Sequence, residues 1–221
     1  GDTLDSYLQN LRMTHNLCYL LEEHPIKRFI YFSSTAVYGE DVNNLRISED
    51  TPVHPTSYYG IVKYSSECLY RKVIDAQKES TLLILRPPLI YGPEDKGTSY
   101  GPVGFSKKIA GGESITLWGD GTEQREFIFI NDLDEITAKL LIQGYEGILN
   151  IVSGTSYTFK MVLDLLSELA LSPFQINSRP RSKNKADHGF ENDTFKKAMP
   201  NYLFTTLDQG IRKTFQTHLS Q

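Results

Sequence analysis

One stretch of the chain dictates its architecture: an apolar run, a long amphipathic segment and a second apolar run follow one another between Lys27 and Leu85. Lys27 to Ser34 reads KRFIYFSS, aromatic and β-branched, of the length of a buried strand and ending in two hydroxyls. Thr81 to Leu85 reads TLLIL, a second short strand closed by Arg86-Pro87-Pro88, where proline ends ladder bonding. Between them Thr56 or Ser57 can cap a helix, Pro55 fixes its entry, and Ile61, Leu69, Val73 and Ile74 recur at near-helical spacing up to Gln77. Strand, long helix, strand is a βαβ unit, which predicts a parallel sheet with a right-handed crossover. In such sheets ligands sit at the carboxyl ends of the strands.

Three chemically apt groups fall at that end. Ser34 closes the first strand, and Tyr59 opens the helix that follows. Lys63 comes four residues later, on the same helix face as Tyr59. A phenol, an ammonium and a hydroxyl around one carbinol are the minimum apparatus for moving a hydride on and off it. A free tyrosine titrates near ~10, so a phenolate base near neutrality needs about 4 kcal/mol of preferential stabilisation, which the charge on Lys63 would supply. With 13 Tyr in 221 residues, chance alone yields about one Tyr-x-x-x-Lys pair, normally on a helix surface; the strand and helix around it give this pair its weight.

Composition excludes several classes. The net charge of −4 and the absence of a dense basic run argue against a nucleic-acid partner. Arg179 to Lys185 (RPRSKNK) reads as a solvated loop or a diphosphate contact. The two cysteines, Cys18 and Cys68, fall within expected helices and read as free thiols of a reducing cytoplasm. His15, His24, His54, His188 and His218 show no ligand spacing, so no metal is expected. No long apolar run marks a membrane span. At 39 % hydrophobic, the chain can bury one substantial core with an appended lobe.

Beyond Pro93 the alternation gives way to a mixed pattern. Residues 94–104 read as a long polar loop, 105–110 as a short helix, and 115–118 and 127–130 as short strands. Asn131 or Asp132 is expected to cap a helix running to Ile142. Residues 149–152 suggest a strand, 158–170 an apolar helix, and 207–215 an amphipathic one.

These motifs, in this order, resemble the extended short-chain dehydrogenase/reductases, and within them the NAD-dependent sugar-nucleotide epimerase/dehydratase family. The matching residues are Asn10, Ser33-Ser34 with Val37-Tyr38-Gly39, Pro55 through Lys63, Arg86-Pro87 with Tyr91-Gly92-Pro93, Gly119-Asp120-Gly121, and Arg125-Glu126-Phe127 through Asp132. The resemblance implies an α/β fold: a Rossmann-like doubly wound parallel sheet with its N-terminal strands missing, plus a smaller mixed α/β substrate-binding lobe. Residues 1–93 would be the later part of the NAD(P)-binding domain and 94–221 the lobe, with part of 127–153 returning to the first domain.

It also implies roles. Ser34 would orient the substrate alcohol or ketone, Tyr59 would be the acid/base, and Lys63 would bind the nicotinamide ribose and lower the tyrosine pKa. Ser33, Tyr59, Lys63 and Pro87 would contact the NAD (or NADP) cofactor. Thr35, Tyr91 and Arg125 would contact a nucleotide-sugar, with Arg125 on its diphosphate, where a planar fork of donors suits phosphate oxygens. The plainer alternative for Arg125 is an ion pair with Glu123 or Glu126. Asn10 resembles the family's helix asparagine near the proton relay, though Met13 stands where glycine is usual. Homodimerisation is implied through residues 4–23 and 59–77.

Two departures shape the expectation. No strand, Gly-rich turn and helix precede the motif series, so the adenosine half of the cofactor site has no counterpart and the chain reads as an inactive fragment. Dehydratases of the family carry Asp-Glu after the catalytic hydroxyl, where Thr35 and Ala36 stand here. Epimerisation of a nucleotide-sugar through a transient keto-sugar is therefore expected, with a keto-sugar reductase or a non-catalytic binding protein as alternatives. Leu89 replaces the asparagine that often holds the nucleotide-sugar, which leaves the substrate open.

Overall fold

A computed structural model describes residues 2–96, 100–181 and 184–219. The chain begins with α1 (Leu4–Glu23), whose cap Thr3 exchanges bonds with Ser6 in a capping box. Strand β1 (Arg28–Phe32) follows, then a single 3-10 turn (Thr35–Tyr38), the short β2 (Asn44–Ile47) and α2 (Tyr58–Asp75). Ser57 caps α2 by accepting the Gly60 N–H at 3.0 Å. Next come β3 (Thr81–Arg86), β4 (Leu89–Tyr91), α3 (Pro102–Ala110), β5 (Ile115–Trp118), β6 (Gln124–Arg125) and β7 (Phe127–Phe129). The remainder is α4 (Ile130–Gln143), β8 (Gly147–Asn150), β9 (Tyr157–Thr158), α5 (Phe159–Leu169), β10 (Ile176–Arg179), β11 (His188–Phe190), α6 (Asp193–Ala198) and α7 (Leu207–Leu219).

The βαβ unit is present as read. β1 and β3 pair in parallel from Arg28 opposite Thr81 to Phe32 opposite Leu85, and β8 adds a third parallel strand beside β3. On one side of this sheet α1 and α2 pack together around Leu21, Tyr70, Val73 and Ile74, with Phe29 and Tyr31 of β1 beneath. On the other side Leu83, Leu85 and Leu149 meet Ile136 and Leu140 of α4. Each such side chain contributes roughly 1.5–3 kcal/mol of transfer free energy on burial. Thr14 of α1 and Ser66 of α2 share a buried hydroxyl contact at 2.7 Å, which fixes the rotation of one helix against the other.

The second core lies in the lobe, where α3, α5 and α7 close over β5 and β7 around Phe105, Ile115, Phe127, Phe159 and Ile211. Two lobe strands also reach across the chain: β11 pairs with β2, and β7 with β4, both parallel.

Several boundaries differ from expectation. Helix α3 starts at Pro102, three residues early, because proline's missing N–H is harmless in a first turn. Helix α4 starts at Ile130; Asp132, expected as its cap, instead accepts from Thr205 N–H and Oγ at 3.0 and 2.9 Å. Strand β8 ends at Asn150 rather than Val152, and α7 extends to Leu219. Residues 97–99 and 182–183, inside two expected loops, lie outside the described residues.

Candidate active site

The carboxyl end of β1 turns sharply at Ser34. Its Oγ accepts the Ala36 N–H at 3.1 Å and so caps the 3-10 turn, while the Thr35 N–H is tied to the Pro87 carbonyl at 3.0 Å. Helix α2 enters against this turn, and only glycine at position 60 permits the approach: a Cβ there would lie 2.6 Å from the Ala36 carbonyl oxygen. Asp2 accepts the Tyr59 N–H at 2.9 Å, satisfying one of the open donors of the first helical turn.

These contacts bring Ser34, Thr35 and Tyr59 to the wall of one cavity of about 280 Å³, faced from the lobe by Arg125, Glu126 and His188. Lys63 lies behind Tyr59. Its ammonium donates to the Phe32 carbonyl at 2.8 Å and stands 5.6 Å from the Tyr59 ring centre. Strand end, helix start and lobe thus converge where the βαβ reading placed a ligand.

One assignment is corrected by the geometry, and one differs in its electrostatics. Tyr91 was expected at the substrate, yet it is only 2 % exposed, packed on Phe129 at 5.5 Å between ring centres and hard against Gly210. It serves the lobe core because its strand pairs with β7 and turns that side chain inward. The Tyr59 phenol was expected to titrate low through Lys63, yet it lies above its ordinary value: burial dominates and the Ser34 hydroxyl offsets it in part. The Lys63 ammonium is itself pushed down by burial and spends a donor on Phe32.

The nicotinamide side can be tested on the residues present. Tyr59 is 46 % exposed and Lys63 half-buried beside it, so both can meet a ribose. Ser33 is 3 % exposed with a buried Oγ that has no partner among the described residues, and Pro87 is buried; neither lines the cavity. Tyr59 and Lys63 are therefore accessible to the ribose end of a nicotinamide nucleotide, whereas Ser33 and Pro87, expected as cofactor contacts, are buried away from the cavity. Asn10 lies exposed and donates to Ser6 O of its own helix at 2.8 Å.

Arg125 makes the ion pair of the plainer alternative, with Glu123, and also lines the cavity. Its guanidinium donates to the carbonyls of Gln124 and Ala186 as well. Burial holds it below its ordinary pKa.

Two further residues line the cavity: Glu126, which stands in the motif around Arg125 but was given no site role, and His188, which carried no sequence signal. Glu126 is 1 % exposed; its Oε1 accepts the N–H groups of Ser153 and Gly154, its Oε2 is unpartnered among the described residues, and burial pushes its pKa up to about 7. His188, with one ring nitrogen 3.0 Å from the Val42 carbonyl, is pushed down to about 4, first by burial and then by the charge on Arg125. No motif marked His188, which enters the site on β11 where that strand pairs with β2.

A parallel Rossmann-type sheet, with Ser34 and Tyr59 on one cavity at its carboxyl end and Lys63 behind the phenol, defines the α/β class of the chain. Residues 2–151 match the model of the NAD dependent epimerase/dehydratase family, and the chain belongs to that family. It is 31 % identical over 144 residues to the N-acetyl-alpha-D-glucosaminyl-diphospho-ditrans,octacis-undecaprenol 4-epimerase of Escherichia coli O157:H7, covering 63 % of this chain and 42 % of the relative. It is 29 % identical over 170 residues to the UDP-glucose 4-epimerase of Bacillus subtilis, covering 70 % of this chain and 49 % of the relative. The fold matches that of the UDP-N-acetylglucosamine 4-epimerase of Methanobrevibacter ruminantium M1, solved with UDP-N-acetylmuramic acid, at a TM-score of 0.84 and 24 % identity over 96 % of this chain and 69 % of that one. The chain spans about half the length of the curated relatives it matches.

Proposed function

We propose that this chain carries the acid/base residues and the sugar-nucleotide side of an NAD(P)-dependent nucleotide-sugar epimerase. The observation that carries the reading is the meeting of Ser34, Tyr59 and Arg125 on one cavity, with Lys63 behind the phenol. Those groups match the demands of alcohol oxidation and of holding a diphosphate.

When bound, the nicotinamide would supply the acceptor and donor of hydride. The protein's part is proton transfer and position. As the phenolate, Tyr59 Oη takes the proton from the sugar hydroxyl and later returns it; Ser34 Oγ–H aligns the reacting oxygen, and Lys63, holding the ribose, adds the positive charge that the phenolate requires. Arg125 anchors the diphosphate at a distance from the reacting carbon, which leaves the ring free to present either face. Thr35 and Ala36 supply no acid or base for removing water, which favours epimerisation over dehydration.

The apolar residues Leu4, Leu8, Leu17 and Leu20 of α1, with Ile61, Tyr64 and Leu69 of α2, are more than a third exposed, and we assign this face to a second copy of the chain.

The test uses the whole protein with NAD and UDP-sugars, following epimer ratios by proton NMR. Interconversion without net NAD(P)H consumption is expected, and Tyr59→Phe should slow it by 10²-fold or more. Net cofactor consumption would indicate the reductase instead, and unchanged turnover in the Phe variant would remove Tyr59 from the chemistry.

A further inference from the structure

A single carboxylate joins two arginines at the edge of the cavity. Glu123 lies two residues before Arg125; its Oε1 accepts from the Arg125 guanidinium and its Oε2 from that of Arg181. Arg181 also reaches Asp120 at 3.3 Å, and it lies across Gly119, where a Cβ would fall 2.3 Å from its Nε. Gly119 has φ +70, a conformation that suits glycine. The Glu123, Arg125 and Arg181 side chains are only 16 to 19 % exposed, so the bridge is not a loose surface pair. It forms the wall of a second hollow of about 160 Å³, which shares Glu40 and Arg125 with the first and is flanked by Trp118.

A carboxylate with one oxygen on each of two guanidiniums takes the place that a phosphoryl group would take between the same forks. Glu123 and Asp120 together cancel the charge of Arg125 and Arg181, and Glu40 adds a further negative group nearby. An incoming anion gains little from this cluster while the bridge holds. We propose that Glu123 is an internal anion that occupies the arginine pair and must be displaced by the substrate diphosphate. It therefore sets affinity and selectivity for ligands that can engage both guanidiniums at once. The inference rests on the reading of Arg125 as a diphosphate contact and adds Glu123 and Arg181 to that reading.

The test is isothermal titration of the 221-residue chain with inorganic pyrophosphate. Glu123→Gln should bind pyrophosphate at least tenfold more tightly than the unaltered chain. Glu123→Ala, which guards against a misfolded Gln variant, should move in the same direction, and Arg181→Gln in the Glu123→Gln background should abolish the gain. If the unaltered chain binds pyrophosphate and neither Glu123 variant binds it more tightly, Glu123 is a brace for the arginines and the inference fails by itself. No binding by any form at millimolar pyrophosphate overturns it together with the diphosphate reading of Arg125.

Discussion

Arg86, the last residue of β3, grips Glu67 midway along α2 in a two-pronged ion pair, with Nε to Oε1 at 2.9 Å and Nη2 to Oε2 at 2.6 Å. Both side chains are 2 % exposed. A third donor of the guanidinium reaches the Tyr38 hydroxyl at 2.8 Å, which in turn donates to Asn150 at 2.9 Å. The network ties the helix bearing Tyr59 and Lys63 to the sheet and to the turn bearing Ser34. Because Tyr59, Lys63 and Glu67 follow at four-residue intervals, clamping Glu67 fixes the rotation of all three.

Truncating one partner of such a buried pair strands the other charge. Glu67→Ala should lower stability by about 3–5 kcal/mol, measured by urea unfolding. A loss under about 1 kcal/mol would show that the pair does not hold α2 in place.

Gly60 tests the same junction from the other side. Gly60→Ala drives a methyl to 2.6 Å from the Ala36 carbonyl, so either α2 or the 3-10 turn must shift. The expected loss is about 1–3 kcal/mol, although alanine is the better helix former. Equal or greater stability would mean that the approach is looser than described.

Glu126 and His188 give opposing pH dependences. The Glu126 pKa is raised in the folded protein to about 7, so its contribution is full below its ordinary value and is lost as pH rises towards 7. The His188 pKa is depressed to about 4, so its contribution is full above its ordinary value and is lost as pH falls towards 4. Each amounts to roughly 3 kcal/mol, and the two offset one another between about pH 4.5 and 6.5. Relative to the unaltered chain, Glu126→Gln should gain stability with rising pH across that window and His188→Gln should lose it. Parallel unfolding curves for all three would contradict the opposition.

The α1–α2 face gives a hydrodynamic prediction. Sedimentation at micromolar concentration should show twice the chain mass, and Leu8→Asp with Leu17→Asp should return it to the single chain. A monomer before substitution would remove the second copy from that face.

Much of the frame was legible because local pattern and burial agreed. KRFIYFSS and TLLIL were apolar enough to mark strands, the cap and apolar spacing of α2 placed that helix, and the apolar run over 158–170 placed α5, each within a few residues. The strands β2, β10 and β11 carried no such signal. NLRI, INSR and HGF are short and mostly polar, and they become strands only through partners far along the chain, as when His188 pairs opposite Asn44. At the cavity, Ser34, Thr35, Tyr59 and Arg125 were named from motifs; Glu126 stood in the same motif without a role, and His188 arrives only through tertiary closure. Glu67 could have been read: it continues the four-residue series from Lys63, and the lone arginine ending an apolar strand needed a carboxylate. Tyr91 was misplaced because a motif fixes where a residue stands and not which way its strand turns it.

The cap at Ser34 has a directional consequence. With one lone pair engaged by the Ala36 amide, the oxygen's remaining capacity and its single hydrogen face outward. The serine thereby keeps one hydrogen to give and one lone pair to receive, so it can meet an alcohol or a ketone oxygen in turn without releasing the backbone bend that it holds.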